Sequence, residues 1–198
     1  MSHARKACLD QLRIESRCDV VFITIDTLKD YIVDPLHPAY QYLSDTQKGD
    51  YLKAYFMHFY GGGYADIKRT TGSWVKAFDE FNNSEAWISG YQEVGSHGVA
   101  YPPVREYWKD LVGNCAYICK PRTPLTQEWY SSMLELLDSK LDALKQHPAK
   151  HPQDHAETGS GYPIEWNELN GRIFHRVCYK YKDKILKSVP TPIFNNYR

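Results

Sequence analysis

The sequence predicts a single α/β domain spanning residues 1–198, with a mainly parallel sheet flanked by helices. Short β-branched or aromatic runs at 19–24, 86–91 and 114–119 alternate with segments of helical periodicity. At 198 residues the chain is long enough for one full hydrophobic core and short for two. No internal repeat or low-complexity segment interrupts the alternation.

Taken in order, residues 3–13 read as a helix, and Asp19-Val20-Val21-Phe22-Ile23-Thr24 reads as a strand buried on both faces. Asp26 is placed to cap a short helix running to about Ile32, and Pro35 and Pro38 then break the chain. Ser44-Asp45-Thr46-Gln47 has the pattern of a capping box. Tyr51, Leu52, Tyr55, Phe56 and Phe59 follow at helical spacing until Gly61, Gly62 and Gly63 stop the helix. A strand ending near Asp66 comes next, then a helix capped by Ser73 that carries Trp74, Val75 and Phe78. Residues 86–91 and 114–119 read as strands, with a loop at 94–103 between them. Thr123-Pro124 opens a long helix whose apolar side is Trp129, Met133, Leu136, Leu137, Leu141 and Leu144, and which stops near Pro148. A polar loop at 147–163, a last helix over 166–181 and an irregular tail complete the chain.

Composition narrows the function. Lys+Arg and Asp+Glu both number 24, so no basic excess is available for a nucleic-acid backbone. No apolar run approaches the roughly 20 residues of a membrane span, and no apolar core follows the N-terminus, so a soluble cytoplasmic protein is expected. The five cysteines lack paired zinc spacings and read as packing thiols. The 16 tyrosines and 5 tryptophans suit a sugar-stacking cleft, although ordinary core and surface aromatics explain them more simply.

In open α/β sheets ligands bind beyond the carboxyl ends of strands, and Asp66 stands at such an end. A carboxylate there can hold a ribose hydroxyl or a divalent cation that bridges a diphosphate. A helix C-cap followed by an exposed strand-end Asp is the plainer reading. The glycines precede the strand, which excludes the strand–glycines–helix phosphate cradles of dinucleotide and P-loop proteins. A two-metal phosphate-ester hydrolase is disfavoured, because the sequence lacks clustered Asp and His.

Gly49-Asp50-Tyr51-Leu52-Lys53-Ala54-Tyr55 and Gly61-Gly62-Gly63-Tyr64-Ala65-Asp66-Ile67-Lys68 together resemble the Ser-Asp-x-x-Arg-Tyr and Gly-Gly-x-Tyr-x-Asp-x-Asp signature of glycosyltransferase family 32. The related capsular-polysaccharide and toxin glucosyltransferases share it, and the chain is similar to a virus-type branch represented by a chlorella-virus glycosyltransferase domain. Asp50 lies three residues before Lys53 and sixteen before Asp66, as in that family. The resemblance implies a GT-A nucleotide-sugar fold and transfer of a hexosyl or deoxyhexosyl group from a UDP-sugar donor to a glycan acceptor with retention, as in polysaccharide biosynthesis. It implies that Asp50, Lys53 and Tyr64 contact the donor, and that Asp66 is the first carboxylate of the Asp-x-Asp motif and a manganese ligand. Lys68 replaces the second Asp, the family's direct metal ligand, and can supply positive charge to the diphosphate itself.

By the same resemblance Asn114 lies near the acceptor, and Glu165, Asn167 and Glu168 come from the region that completes the metal or acceptor site. A loop cap and helix-surface carboxylates are their plainer readings. His147, His151 and His155 recur every four residues, but Pro148 and Pro152 prevent the helix that would align them. His175 reads as a structural histidine. The family also has an apolar first strand before the helix matched by residues 3–13, so the resemblance implies residues preceding Met1 and an unpaired sheet edge beside 19–24. The competing function is a non-catalytic sugar-nucleotide or glycan-binding module, for which the missing second Asp argues.

Overall fold

The computed structural model describes residues 1–197. Helix α1 (His3–Ser16) is capped by Ser2, whose hydroxyl accepts from the Arg5 amide at 3.3 Å. Helix α2 (Asp45–Phe59) begins at Ser44, whose hydroxyl accepts from the Gln47 amide at 3.4 Å. Strands β1 (Gly62–Ala65) and β2 (Arg69–Thr70), helix α3 (Val75–Asn82) and strands β3 (Ile88–Gln92) and β4 (Val112–Cys119) follow. Helix α4 (Pro124–Gln146) opens with a capping box between Thr123 and Thr126, and helix α5 (Gly171–Lys180) precedes strands β5 (Ile185–Leu186) and β6 (Pro192–Ile193).

Four strands form the main sheet in the order β1-β4-β3-β5, and β2 pairs with β6 beside it. The architecture is α/β as predicted, but the sheet is mixed rather than mainly parallel. β4 is antiparallel to both β1 and β3, and only β3 and β5 run parallel. The connection between β3 and β4 explains the difference: it is built of 3-10 turns at Ser96–Gly98 and Pro102–Asp110, which return the chain beside β3. A parallel neighbour needs a longer crossover, and β5 is reached through α4, the 147–163 loop and α5.

β4 divides the core by the alternation of its side chains. Tyr117 and Cys119 join the larger cluster, with Tyr51 and Tyr55 of α2, Trp129 and Met133 of α4 and Phe174 of α5. Ala116 and Ile118 join a smaller one with Trp74, Ala77, Phe81 and Val189. Burial of a large apolar side chain such as Met133, Phe174 or Ile118 contributes about 1.5–3 kcal/mol relative to exposure. No described helix is long and apolar enough to cross a membrane.

Three sequence expectations are corrected. Residues 19–24 form no strand: none of the described strands pairs with them, and Val21 and Ile25 are 62% and 84% exposed. β-propensity is realised only against a neighbour, and the outer side of β1 also carries none. Asp26 caps nothing; Thr24 and Thr27 close that turn instead, the Thr24 amide donating to Thr27 Oγ1 at 3.0 Å, before a 3-10 turn at Leu28–Tyr31. The last helix is shorter than 166–181, because residues 165–169 make a separate turn fixed by the Arg172 amide on the Asn167 carbonyl at 2.9 Å.

Candidate functional site

The two quoted segments meet in space. Asp50 and Lys53 lie three apart on α2 and so share a face, which brings Lys53 Nζ within 3.0 Å of Asp50 Oδ1. The helix ends at Tyr60, and Gly61 turns the chain with φ +64°. A Cβ at Gly61 would fall 2.6 Å from Pro121 Cδ and 2.7 Å from the Cys119 carbonyl, so the turn tolerates no larger residue. It sets β1 against β4 with Gly62 opposite Cys119, and the Asp66 amide donates to the Cys115 carbonyl at 2.8 Å just past the strand.

Asp66 is the centre of the network. Its Oδ1 accepts from Tyr64 Oη at 2.7 Å and faces Lys53 Nζ at 3.4 Å, while Oδ2 accepts from Lys68 Nζ at 2.5 Å. Lys53 Nζ lies 5.2 Å from the centre of the Tyr64 ring, which stacks on Tyr117 at 5.3 Å. The four charged side chains are largely buried, Asp66 being the most exposed at 28%. Two carboxylates and two ammonium groups cancel, so the cluster is neutral overall.

The carboxylates differ because of how they share the lysines. Burial alone would raise the Asp66 carboxyl, but the Lys53 and Lys68 charges, with hydrogen bonds from Lys68 and Tyr64, outweigh it and hold it down to about 2. Asp50 has Lys53 only in part, and burial pushes its carboxyl up against that lysine's pull. Burial also opposes the charge on Lys53, yet Asp50 and Asp66 together hold its ammonium well above the usual lysine range.

A divalent cation does not suit this donor set. Asp66 is its one strand-end carboxylate, and both oxygens already accept from Tyr64 and Lys68. No group of three or more His, Cys, Asp or Glu among the described residues is arranged to hold a metal ion. Lys68 Nζ sits against Oδ2, so an ammonium already holds that side of the carboxylate.

The side-chain hydrogen bonds and ion pairs of Asp66 include none of the other sequence candidates. Asn114 lies on β4 beside the start of α5, where a Cβ at Gly171 would come within 3.4 Å of its Nδ2. Glu165 pairs with Arg172, and Glu168 Oε1 pairs with Lys140 Nζ at 3.2 Å while its Oε2 accepts from the Glu165 amide at 3.0 Å. These contacts tie the 165–169 turn to α4 and α5. His151 faces Asp154 and His155 faces Glu157, each a local pair. His175 is fully buried and its Nδ1 accepts from the Ala100 amide at 3.0 Å.

Two site residues escaped the sequence reading. Asn170 is 2% exposed and donates from Nδ2 to Asp50 Oδ1 at 3.2 Å, with its own Oδ1 unpartnered. The Asn170-Gly171 pair was the available signal, since such a dipeptide interrupts a helix. Tyr197 lies with its ring centre 4.7 Å from Lys68 Nζ, and nothing local in the sequence announces that contact. Searches of protein-family models, curated proteins and solved structures find no match to this chain.

Proposed function

We propose that the protein is a glycosyltransferase that takes a sugar from a nucleoside-diphosphate donor, a UDP-sugar by resemblance, and passes it to a carbohydrate hydroxyl. The observation that supports this reading is the convergence of Asp50, Lys53, Tyr64, Asp66 and Lys68, from two separated segments, into one network at a strand end. In this proposal Lys53 and Lys68, rather than a metal ion, neutralise the diphosphate. A fixed ammonium in a largely buried site needs little reorganisation as charge develops on a leaving group.

In the reaction, the bond from the anomeric carbon to the diphosphate oxygen breaks and its electron pair stays on the phosphate. The acceptor oxygen bonds to the same carbon, and its proton passes to the departing phosphate oxygen. Retention follows from the resemblance, and no protein nucleophile is assigned. In this reading Asp50, held by Lys53 and Asn170, accepts from a donor-sugar hydroxyl.

The rival reading, a non-catalytic sugar-nucleotide or glycan-binding module, is favoured by the engagement of both Asp66 oxygens within the protein. Calorimetry with UDP in manganese and in EDTA, followed by a donor-hydrolysis assay, separates the two. The enzyme reading expects binding and turnover that persist in EDTA. Binding without turnover selects the module, and no binding of any nucleoside diphosphate removes both.

A further inference from the structure

Asp50 and Asn170 meet in a way that an ionised carboxylate leaves incomplete. Asp50 Oδ1 takes both the Lys53 ammonium at 3.0 Å and Asn170 Nδ2 at 3.2 Å, while Oδ2 has no hydrogen bond among the described residues. On the other side of the pair, Asn170 Oδ1 is buried without a partner. A buried carbonyl oxygen without a donor calls for an explanation. The oxygen and nitrogen of a carboxamide lie side by side in one plane, so an amide that donates to one carboxyl oxygen is able to present its own oxygen to the other. A proton on Asp50 Oδ2 completes the pair: the acid donates to Asn170 Oδ1, while its Oδ1 still accepts from Asn170 Nδ2 and Lys53.

Charge balance gives that proton a purpose. Asp50, Lys53, Asp66 and Lys68 cancel one another and are largely buried, and the diphosphate of a nucleotide sugar brings two negative charges among them. Negative charges crowded in a shielded place favour the protonated form of a neighbouring acid. Asp66 is a poor site for the proton, since Tyr64 Oη and Lys68 Nζ donate to its two oxygens and Lys53 faces it, which holds its carboxyl down to about 2. Asp50 shares Lys53 with Asp66, and burial pushes its carboxyl up. The other ionisable groups around the pair do not compete. Tyr64 of β1 and Tyr117 of β4 are phenols pushed up by burial, Glu165 pairs with Arg172, and Glu168 pairs with Lys140.

We propose that diphosphate binding at this site is coupled to proton uptake by Asp50, with Asn170 receiving the new hydrogen bond. One proton passes from solvent to Asp50 Oδ2, and no bond in the ligand breaks. Asp50 becomes neutral, Lys53 is balanced by Asp66 alone, and the network carries one net positive charge that the ionised form withholds. Oδ2 keeps a lone pair for a donor-sugar hydroxyl. The proposal rests on the reading of the cluster as a diphosphate site.

The test uses UDP-glucose, whose phosphates are both esterified, so that its own charge does not change over the range studied. Calorimetry between about pH 5 and pH 8, in buffers of different ionisation enthalpy, reads the affinity and the number of protons taken up. The natural protein is expected to take up a proton on binding, and to bind up to about tenfold more tightly for each unit by which the pH falls. An infrared band of a protonated carboxyl is expected to appear with the ligand. Asp50→Asn keeps the pairing with Asn170 through its own amide and has no proton to gain, so its affinity should be flat with pH and its proton uptake should vanish. Binding by the natural protein without proton uptake, or uptake without the carboxyl band, overturns the coupling and leaves the site reading standing, whether or not the variant folds. Uptake that persists in Asp50→Asn with a normal melting temperature also overturns it, by placing the proton elsewhere. No binding of UDP-glucose at any pH removes the site reading and the coupling together.

Discussion

Asp66 accepts from two donors and faces a third, so it links both lysines to β1. Replacing it with alanine is expected to lower donor turnover roughly a hundredfold, or on the order of 3 kcal/mol, while circular dichroism shows the helices retained. Near-normal turnover would exclude Asp66 from the chemistry. Lys68→Asp replaces an ammonium with a second carboxylate beside Asp66. It is expected to create a manganese-dependent rise in melting temperature that the natural protein lacks. A natural protein already stabilised by manganese would show that another side chain supplies the ligand. Asp50 and Lys53 were singled out by the resemblance alone and Asp66 also by its place at a strand end, and the three-residue spacing on α2 accounts for the Asp50–Lys53 pair. Asn170 was not legible, because the Asn170-Gly171 pair marks only a helix break and says nothing of a contact with Asp50, 120 residues away.

At the scale of elements, the turn between α2 and β1 decides where Asp66 stands. Gly61 and Gly62 both have positive φ, +64° and +76°, but only a Cβ at Gly61 meets backbone and ring atoms, while one at Gly62 meets nothing within 4 Å. Gly61→Ala is expected to lower stability by a few kcal/mol and Gly62→Ala by about 1, as read from denaturant midpoints. Equal effects would mean that dihedral strain alone governs the turn. The elements that matched expectation, α2 and α4 above all, advertise themselves through caps and apolar periodicity within one segment. Residues 19–24 misled because a β-branched run records what a strand would tolerate and carries no information about whether a neighbour exists. Strand direction was equally hidden, since it depends on how residues 93–111 travel between β3 and β4.

For the molecule as a whole, acid is expected to act through carboxylates held low. Besides Asp66, Asp154 in the 147–163 loop is held down to about 2: burial would raise it, but the Lys150 amide, Ser160 and Thr158 donate to it and His151 adds charge. A depressed acid stabilises the fold fully above its unfolded value, near 4, and that contribution disappears as pH falls through the folded value. Asp50, raised by burial, acts in the opposite sense, and its effect falls above the unfolded value, outside the window in which Asp66 and Asp154 are protonated. Denaturant midpoints should therefore fall between about pH 4 and pH 2, and Asp154→Asn should make that limb shallower. A profile identical in the variant would show that the loop carboxylate contributes nothing to acid stability. The pairing of β3 with β5, Ile88 opposite Ile185, and of β2 with β6, Thr70 opposite Pro192, also has a temporal meaning. During synthesis both earlier strands emerge long before their partners, and contacts of such sequence separation form slowly. The nascent chain thus carries two open strand edges until residues 185–193 have been made.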